Sequence, residues 1–298
     1  MKSEHQGGPM SEPYYQDDLV TLYHGDCIEV MQSLPDESVD AVITSPPYAM
    51  QRRATYGGVK EDDYPAWTVA WMSEVWRVLT PDGSAIINIR PHIRDGQISD
   101  YVLRTRLALR EDGWFELEEL IWHKKGGAPM GAVKRPRRSW ESLLWFGKHG
   151  RAWTDPKAAG GESSHLNIAG GRTGPHKATG QIEYASPMGR TRVSDVAEIS
   201  TRMNENDNGL NTHPAPFPPA LAEWCGNLTC PPGGTILDPF SGSASTGVAA
   251  VRNGWKYVGI DAAFEYVEMS ARRLQAEQGR GGSSSLEDEV RASGWANV

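Results

Sequence analysis

The C-terminal third of the chain alternates strand and helix, and few folds accommodate that order. Residues 235–237 form a short apolar run, 245–252 a helical pattern closed by Asn253-Gly254, 256–260 a second apolar run, and 264–278 a second helical pattern. Strand–helix–strand–helix order is satisfied by parallel strands with crossover helices covering both faces. It predicts an α/β, doubly wound, mostly parallel sheet, with ligands bound beyond the carboxyl ends of its strands. The N-terminal half fits the same plan. Residues 39–43 read as a strand stopped by Ser45-Pro46-Pro47. Trp67, Trp71, Val75 and Val78 recur at helical spacing and predict a helix over 64–79. Pro81-Asp82-Gly83 predicts a turn and 84–88 a buried strand; a helix is expected within 97–109, strands at 115–122 and 143–146, and a helix from 218 to about 227. The run GRGGSSS at 279–285 predicts a flexible linker.

Two clusters occupy the strand ends where this fold gathers its chemistry. Asp238-Pro239-Phe240-Ser241-Gly242-Ser243-Ala244-Ser245-Thr246-Gly247 joins a strand to a helix. Its small residues let a ligand approach the backbone, and the helix start presents free N–H groups. It has neither the Gly-Lys-Ser/Thr ending of a triphosphate loop nor the dinucleotide Gly-x-Gly-x-x-Gly spacing. Asp261 ends the next strand, where a carboxylate can accept both hydroxyls of a ribose. The second cluster is Thr44-Ser45-Pro46-Pro47-Tyr48. Its prolines remove two backbone donors, which leaves hydroxyl and carbonyl acceptors beside an aromatic face. Such a surface suits the exocyclic amine of a planar base.

Charge first argues against a nucleic-acid partner, because 30 Lys and Arg face 38 Asp and Glu, a formal net of -8. Its distribution reverses that inference. Residues 124–202 hold 14 Lys and Arg against 6 Asp and Glu, leaving 16 against 32 elsewhere. The densest basic run includes Lys134, Arg135, Arg137 and Arg138, with Trp140, Trp145, Arg151 and Trp153 following. Cations there could neutralise phosphates and aromatics could stack on bases. Three cysteines make no disulfide framework and suggest a reducing cytoplasm. Cys225 and Cys230 lack zinc-ligand partners at suitable spacing and are expected to pack in the core. The first 18 residues are too polar for a signal peptide, and no apolar run suits a membrane span.

In these residues the chain resembles the DNA methyltransferases that methylate exocyclic amines with S-adenosyl-L-methionine, in the permuted motif order called the beta group. There the Asp/Asn/Ser-Pro-Pro-Tyr/Phe motif precedes the recognition region and Asp-Pro-Phe-x-Gly-Ser-Gly comes last, as here. The resemblance implies that Ser45, Pro46, Pro47 and Tyr48 are catalytic. Asp26 and Cys27, in His24-Gly25-Asp26-Cys27, would contact the cofactor adenine; His213 and Pro214 would close over the cofactor; Asp238, Pro239, Phe240, Ser241, Gly242, Ser243 and Asp261 would hold the rest. It implies a Rossmann-like methyltransferase sheet with a lead-in at 1–18, a catalytic half at 19–150, an inserted target-recognition region at 151–212, a cofactor half at 213–278 and a tail at 279–298. Lys134, Arg135, Arg137, Arg138 and Arg151 would grip double-stranded DNA, and no metal is implied. Ala244-Ser245 departs from the family's Gly-Thr, so an extra methyl is expected to crowd the cofactor loop. Ser45 resembles the residue of enzymes forming N4-methylcytosine, with N6-methyladenine the alternative. A non-catalytic DNA-binding module and a protein or RNA N-methyltransferase are the other readings. A homodimer and a restriction endonuclease partner are left open by the sequence.

Overall fold

The computed structural model describes residues 12–50, 58–125, 135–160, 166–168, 184–187, 191–201 and 217–292. The elements in chain order are β1 (Tyr15–Gln16), β2 (Val20–His24), α1 (Cys27–Ser33), β3 (Val39–Thr44), α2 (Tyr64–Val78), β4 (Leu79–Ile89), β5 (Ile93–Arg94) and β6 (Gln97–Ile98). They continue with α3 (Tyr101–Glu111), β7 (Phe115–Lys125), β8 (Trp140–Gly147), β9 (Leu166–Ile168), β10 (Tyr184–Pro187) and β11 (Val196–Ser200). The chain then forms α4 (Pro219–Thr229), β12 (Thr235–Asp238), α5 (Ser245–Asn253), β13 (Lys256–Asp261) and α6 (Phe264–Ala292).

Nine strands make the main sheet in the order β1-β2-β13-β12-β3-β4-β8-β7-β11. The run from β2 to β4 is parallel throughout. β8 is antiparallel to both β4 and β7, and β11 returns parallel to β7. Central strands are apolar on both faces, as a covered parallel sheet requires. In β3, Ala41 and Ile43 join a core with Leu221, Cys225, Val248 and Leu274 of α4, α5 and α6. Val39 and Val42 point the other way, into a core with Val30, Met31, Trp71, Val75 and Leu109 of α1, α2 and α3. The expected doubly wound sheet is thus present. Among the described residues no helix is long and apolar enough to cross a membrane.

Several local expectations are corrected. The Pro81-Asp82-Gly83 turn lies inside β4: Leu79 pairs with Val39 and Ser84 with Ala41, so β4 uses five residues where β3 uses two. The surplus turn residues bulge out of the ladder without ending the strand. The helix expected within 97–109 begins at Tyr101, after residues 97 and 98 pair with β5, and runs two residues past that interval to Glu111. Tyr15 and Gln16 of the polar lead-in pair with β2. The last helix runs on to Ala292 through the stretch expected to be a flexible linker. Residues 286–292 include the good helix formers Leu286, Glu287, Glu289, Arg291 and Ala292, and the helix extends through them past the Gly-Ser run. β11 lies inside the expected recognition region yet belongs to the sheet.

Candidate active site

Because β2, β13, β12, β3 and β4 are neighbours running in one direction, their carboxyl ends form a single edge. Asp26, Asp261, the 238–243 loop and Ser45-Pro46-Pro47-Tyr48 all emerge there. The sequence motifs, up to 235 residues apart, are brought together by strand order alone.

The 238–243 loop is held from three sides. Asp238 is fully buried and accepts hydrogen bonds from the Thr44 hydroxyl at 2.7 Å, the Thr246 hydroxyl at 2.9 Å and the Phe240 N–H at 3.2 Å. It thereby joins the residue before Ser45 to helix α5. On the second side, Asp261 accepts from the Gly242 N–H at 2.7 Å and the Ala263 N–H at 2.9 Å. The third side is α6. Ser270 donates to the Gly242 carbonyl at 2.8 Å, and the buried Arg273 donates to the Ser243 carbonyl at 2.7 Å. Phe240 packs edge-on against Trp71 and tilted against Trp67, so α2 backs the loop with aromatic rings. Ala244 sits in the left-handed region at φ 54° and ψ 43°, with its methyl inside the hydrophobic core. The expected crowding of the cofactor loop is therefore not what the methyl does; the departure from glycine costs backbone strain of about 1 kcal/mol instead.

Burial pushes the Asp238 carboxyl up to about 6 from 3.8, against the opposing pull of the two threonine hydroxyls. The folded protein then holds this proton to higher pH than the unfolded chain. Its contribution to stability is present below about pH 4 and lost as pH rises through about 6. Denaturant midpoints of the wild type should fall relative to Asp238→Asn across that window. A constant difference between the two would refute the assignment.

In the Ser45-Pro46-Pro47-Tyr48 motif, Ser45 and Tyr48 are half-buried and Pro46 is buried. The Tyr64 hydroxyl donates to the Pro47 carbonyl at 3.1 Å, which fixes the proline turn against α2. The Tyr48 hydroxyl donates to Glu141 Oε2 at 3.0 Å. Burial and the Glu141 charge push the Tyr48 phenol well above its ordinary value, so it remains a neutral donor. Asn88, near the end of β4 one residue past the Ile87–Thr44 pairing, is buried and its Oδ1 has no hydrogen-bond partner among the described residues.

Asp26 is exposed and caps α1, its Oδ1 accepting from the Ile28 and Glu29 N–H groups at 2.9 and 3.3 Å. The Gly25 N–H donates to the Asp261 carbonyl at 3.0 Å, locking these two strand ends together. Cys27 is buried and its thiol is pushed up to about 12 by burial. It lines the fold beneath Asp26 rather than offering a reactive group. Cys225 and Cys230 are buried in the α4 core. His213, Pro214 and Lys134 lie outside the described residues.

The basic residues divide. Arg135 and Arg137 are exposed, and Arg135 donates to the Gly96 carbonyl. Arg138 is partly buried and donates to the Pro91 carbonyl, where burial and the nearby Arg90 lower its pKa. All three precede β8, whose first residues lie at the edge carrying the candidate site because Ser142 pairs with Ile89. Arg151 does not join them. β8 runs antiparallel to β4 and ends at Gly147 opposite Ser84, so Arg151 lies at the far edge of the sheet, where Trp153 donates to the Asp82 carbonyl. Trp145 is spent on a bond to Ser84, whereas Trp140 stays exposed at the catalytic edge.

Several residues were not singled out by sequence reasoning: Glu141, Lys124, Arg90, Ser270 and Arg273. Ser270 and Arg273 share a helix face by their spacing of three, which is the one signal that could have found them. Among the described residues no group of three or more His, Cys, Asp or Glu could hold a metal ion.

This arrangement matches known proteins over most of the chain. A family model described as DNA methylase matches residues 39–272. The chain is 28% identical over 273 residues to the type II methyltransferase M.ScaI of Streptomyces caespitosus, spanning 90% of this chain and 85% of that protein. It is 26% identical over 288 residues to the type II methyltransferase M.PvuII of Proteus hauseri, spanning 88% and 86%. The solved structure of a PvuII DNA methyltransferase, described as cytosine-N4-specific, covers 89% of each chain at 25% identity with a TM-score of 0.70.

Proposed function

Because the chain belongs to the DNA methylase family, whose model spans residues 39–272, we propose that it methylates the exocyclic amine of a flipped base in double-stranded DNA, with N4 of cytosine as the target. The observation that carries this reading is the Thr44–Asp238–Thr246 hydrogen-bond bridge, which couples the residue before Ser45 to the loop that would hold the cofactor. S-adenosyl-L-methionine supplies a methyl group on a sulfonium, a good leaving group. The chain fits it: Asp26 offers an exposed acceptor at one strand end, Asp261 at the adjacent strand end is buried and holds the loop through the Gly242 N–H, and the small residues Ser241, Gly242 and Ser243 would admit the methionine portion.

The exocyclic amine is a weak nucleophile because its lone pair is delocalised into the ring. Ser45 and the Pro46 carbonyl would accept its two N–H bonds, pyramidalise the nitrogen and aim the lone pair. The nitrogen would take the methyl group from the bound cofactor, the N–C bond forming as the C–S bond broke and the thioether left, and the face of Tyr48 would stabilise the positive charge developing on nitrogen. The extra proton then leaves to solvent. Support for cytosine comes from Ser45 at the first motif position and from similarity to the enzyme described as cytosine-N4-specific.

Incubation with methyl-labelled cofactor and mixed-sequence duplex DNA, followed by digestion to nucleosides, tests this directly. Label should appear in N4-methylcytosine. Label in N6-methyladenine would overturn the base, and label only in protein or RNA would overturn the substrate class.

The cations at the catalytic edge give a separate expectation. Replacing Arg135 or Arg137 with alanine should each reduce the slope of log affinity against log salt by about 0.9, one released counterion per phosphate contact. Arg151→Ala should leave the slope unchanged, since that residue faces the other edge. Equal slopes in all three variants would remove these arginines from the DNA interface.

A further inference from the structure

We propose that Glu141 is a positioning residue for methyl transfer, holding and polarising Tyr48 through its hydroxyl. The proposal rests on the stacking role given to Tyr48 above and deepens it. Glu141 is the second residue of β8, at the edge where the motif residues gather, and it is 6% exposed. One carboxylate oxygen, Oε2, accepts from Tyr48 at 3.0 Å. The other, Oε1, accepts from Lys124 Nζ at 2.5 Å and lies 3.7 Å from Arg90 Nη1.

A buried carboxylate is costly unless paired. Lys124 from β7 and Arg90 just beyond β4 supply that pairing from both neighbouring strands. An ion pair serving only to join the strands would have no use for a third partner. Here the remaining oxygen is given to the phenol of the catalytic motif. Two consequences follow. The ring is pinned at its hydroxyl end while the Pro47 carbonyl, one residue before it, is pinned by Tyr64, so the plane offered to the base is fixed at both ends. A phenol donating to an ionised carboxylate also carries more electron density in its ring, which strengthens its face toward a cation.

Single-turnover methyl transfer to duplex DNA and equilibrium cofactor affinity should be compared in wild type, Tyr48→Phe, Glu141→Gln and the double variant. Each single substitution is expected to slow transfer about tenfold, a loss within the range of one strong cation–π contact, with cofactor affinity retained. The double variant should be no slower than the slower single one, because both remove the same contact. Multiplying losses would overturn the proposal, as would a Tyr48→Phe protein working at full rate. That second outcome decides the matter even if Glu141→Gln does not fold. A 3-fluorotyrosine resonance at position 48 reads the contact without catalysis. Glu141→Gln should shift it, and an unmoved resonance would overturn the proposal. A wild type that transfers no methyl group to DNA would instead defeat the proposed function, leaving the fluorine signal to decide on Glu141.

Discussion

Ser45→Ala is expected to slow single-turnover methyl transfer by roughly 100-fold, the scale of losing one preorganised hydrogen-bond partner in a water-excluded site. Cofactor affinity should hardly change. Ser45 follows the strand whose last residue, Thr44, bonds Asp238, so the backbone around it stays anchored when the hydroxyl is removed. The cofactor loop has its own supports in Asp261, Ser270 and Arg273 and does not depend on the serine. The loss should therefore fall on the chemical step: kcat drops and the cofactor titration overlays that of the wild type. A variant that transfers methyl groups at full rate would remove Ser45 from the chemistry and leave the proline-tyrosine turn as scaffold only.

Arg273→Met should have the opposite signature. The guanidinium is buried, and its Nη1 lies 2.7 Å from the Ser243 carbonyl and within 3.5 Å of the Ser243 and Ser245 hydroxyls. Methionine fills comparable apolar volume but donates nothing, so the loop loses its clamp from α6. A charge-assisted hydrogen bond to a buried acceptor is worth about 1.5–3 kcal/mol, which corresponds to roughly 10- to 150-fold in cofactor affinity if the loop's order is what the bond maintains. Isothermal titration would show a weaker Kd with the melting temperature lowered, and excess cofactor should recover most of the transfer rate. Unchanged affinity would mean that the loop is rigid without Arg273.

The sheet class and the edge carrying the site were legible because they depend on local signals: apolar runs two-faced in burial, helix starts and stops, and small-residue turns at strand ends. β3 illustrates this, since its apolar run and the proline stop after it predict both its burial and where it ends. What could not be read depends on strands distant in sequence. Glu141 looked like one acid in a basic segment until β8 inserted antiparallel between β4 and β7 and placed it under Tyr48. Arg151 looked equivalent to Arg135, but the same antiparallel strand carries the chain across the sheet between them. Arg273 belonged to an ordinary amphipathic pattern, with nothing in its neighbours to announce a buried clamp. The Gly-Ser run after residue 278 was misjudged by composition, because helix-favouring residues beyond it prolong α6.

The parallel pairing of β11 with β7 bears on how target preference in this chain could be exchanged. Residues 196–200 pair one for one with 121–125, and they lie inside the interval that a motif-based boundary at 151–212 would excise whole. A chimera cut at those limits would strip β7 of its outer neighbour and leave a row of open amide and carbonyl groups, an invitation to intermolecular strand addition. Junctions that retain Val196–Ser200 with the host would keep that margin closed. Modularity in this enzyme is thus bounded by a hydrogen-bonded ladder, and a donor segment has to end before the ladder begins.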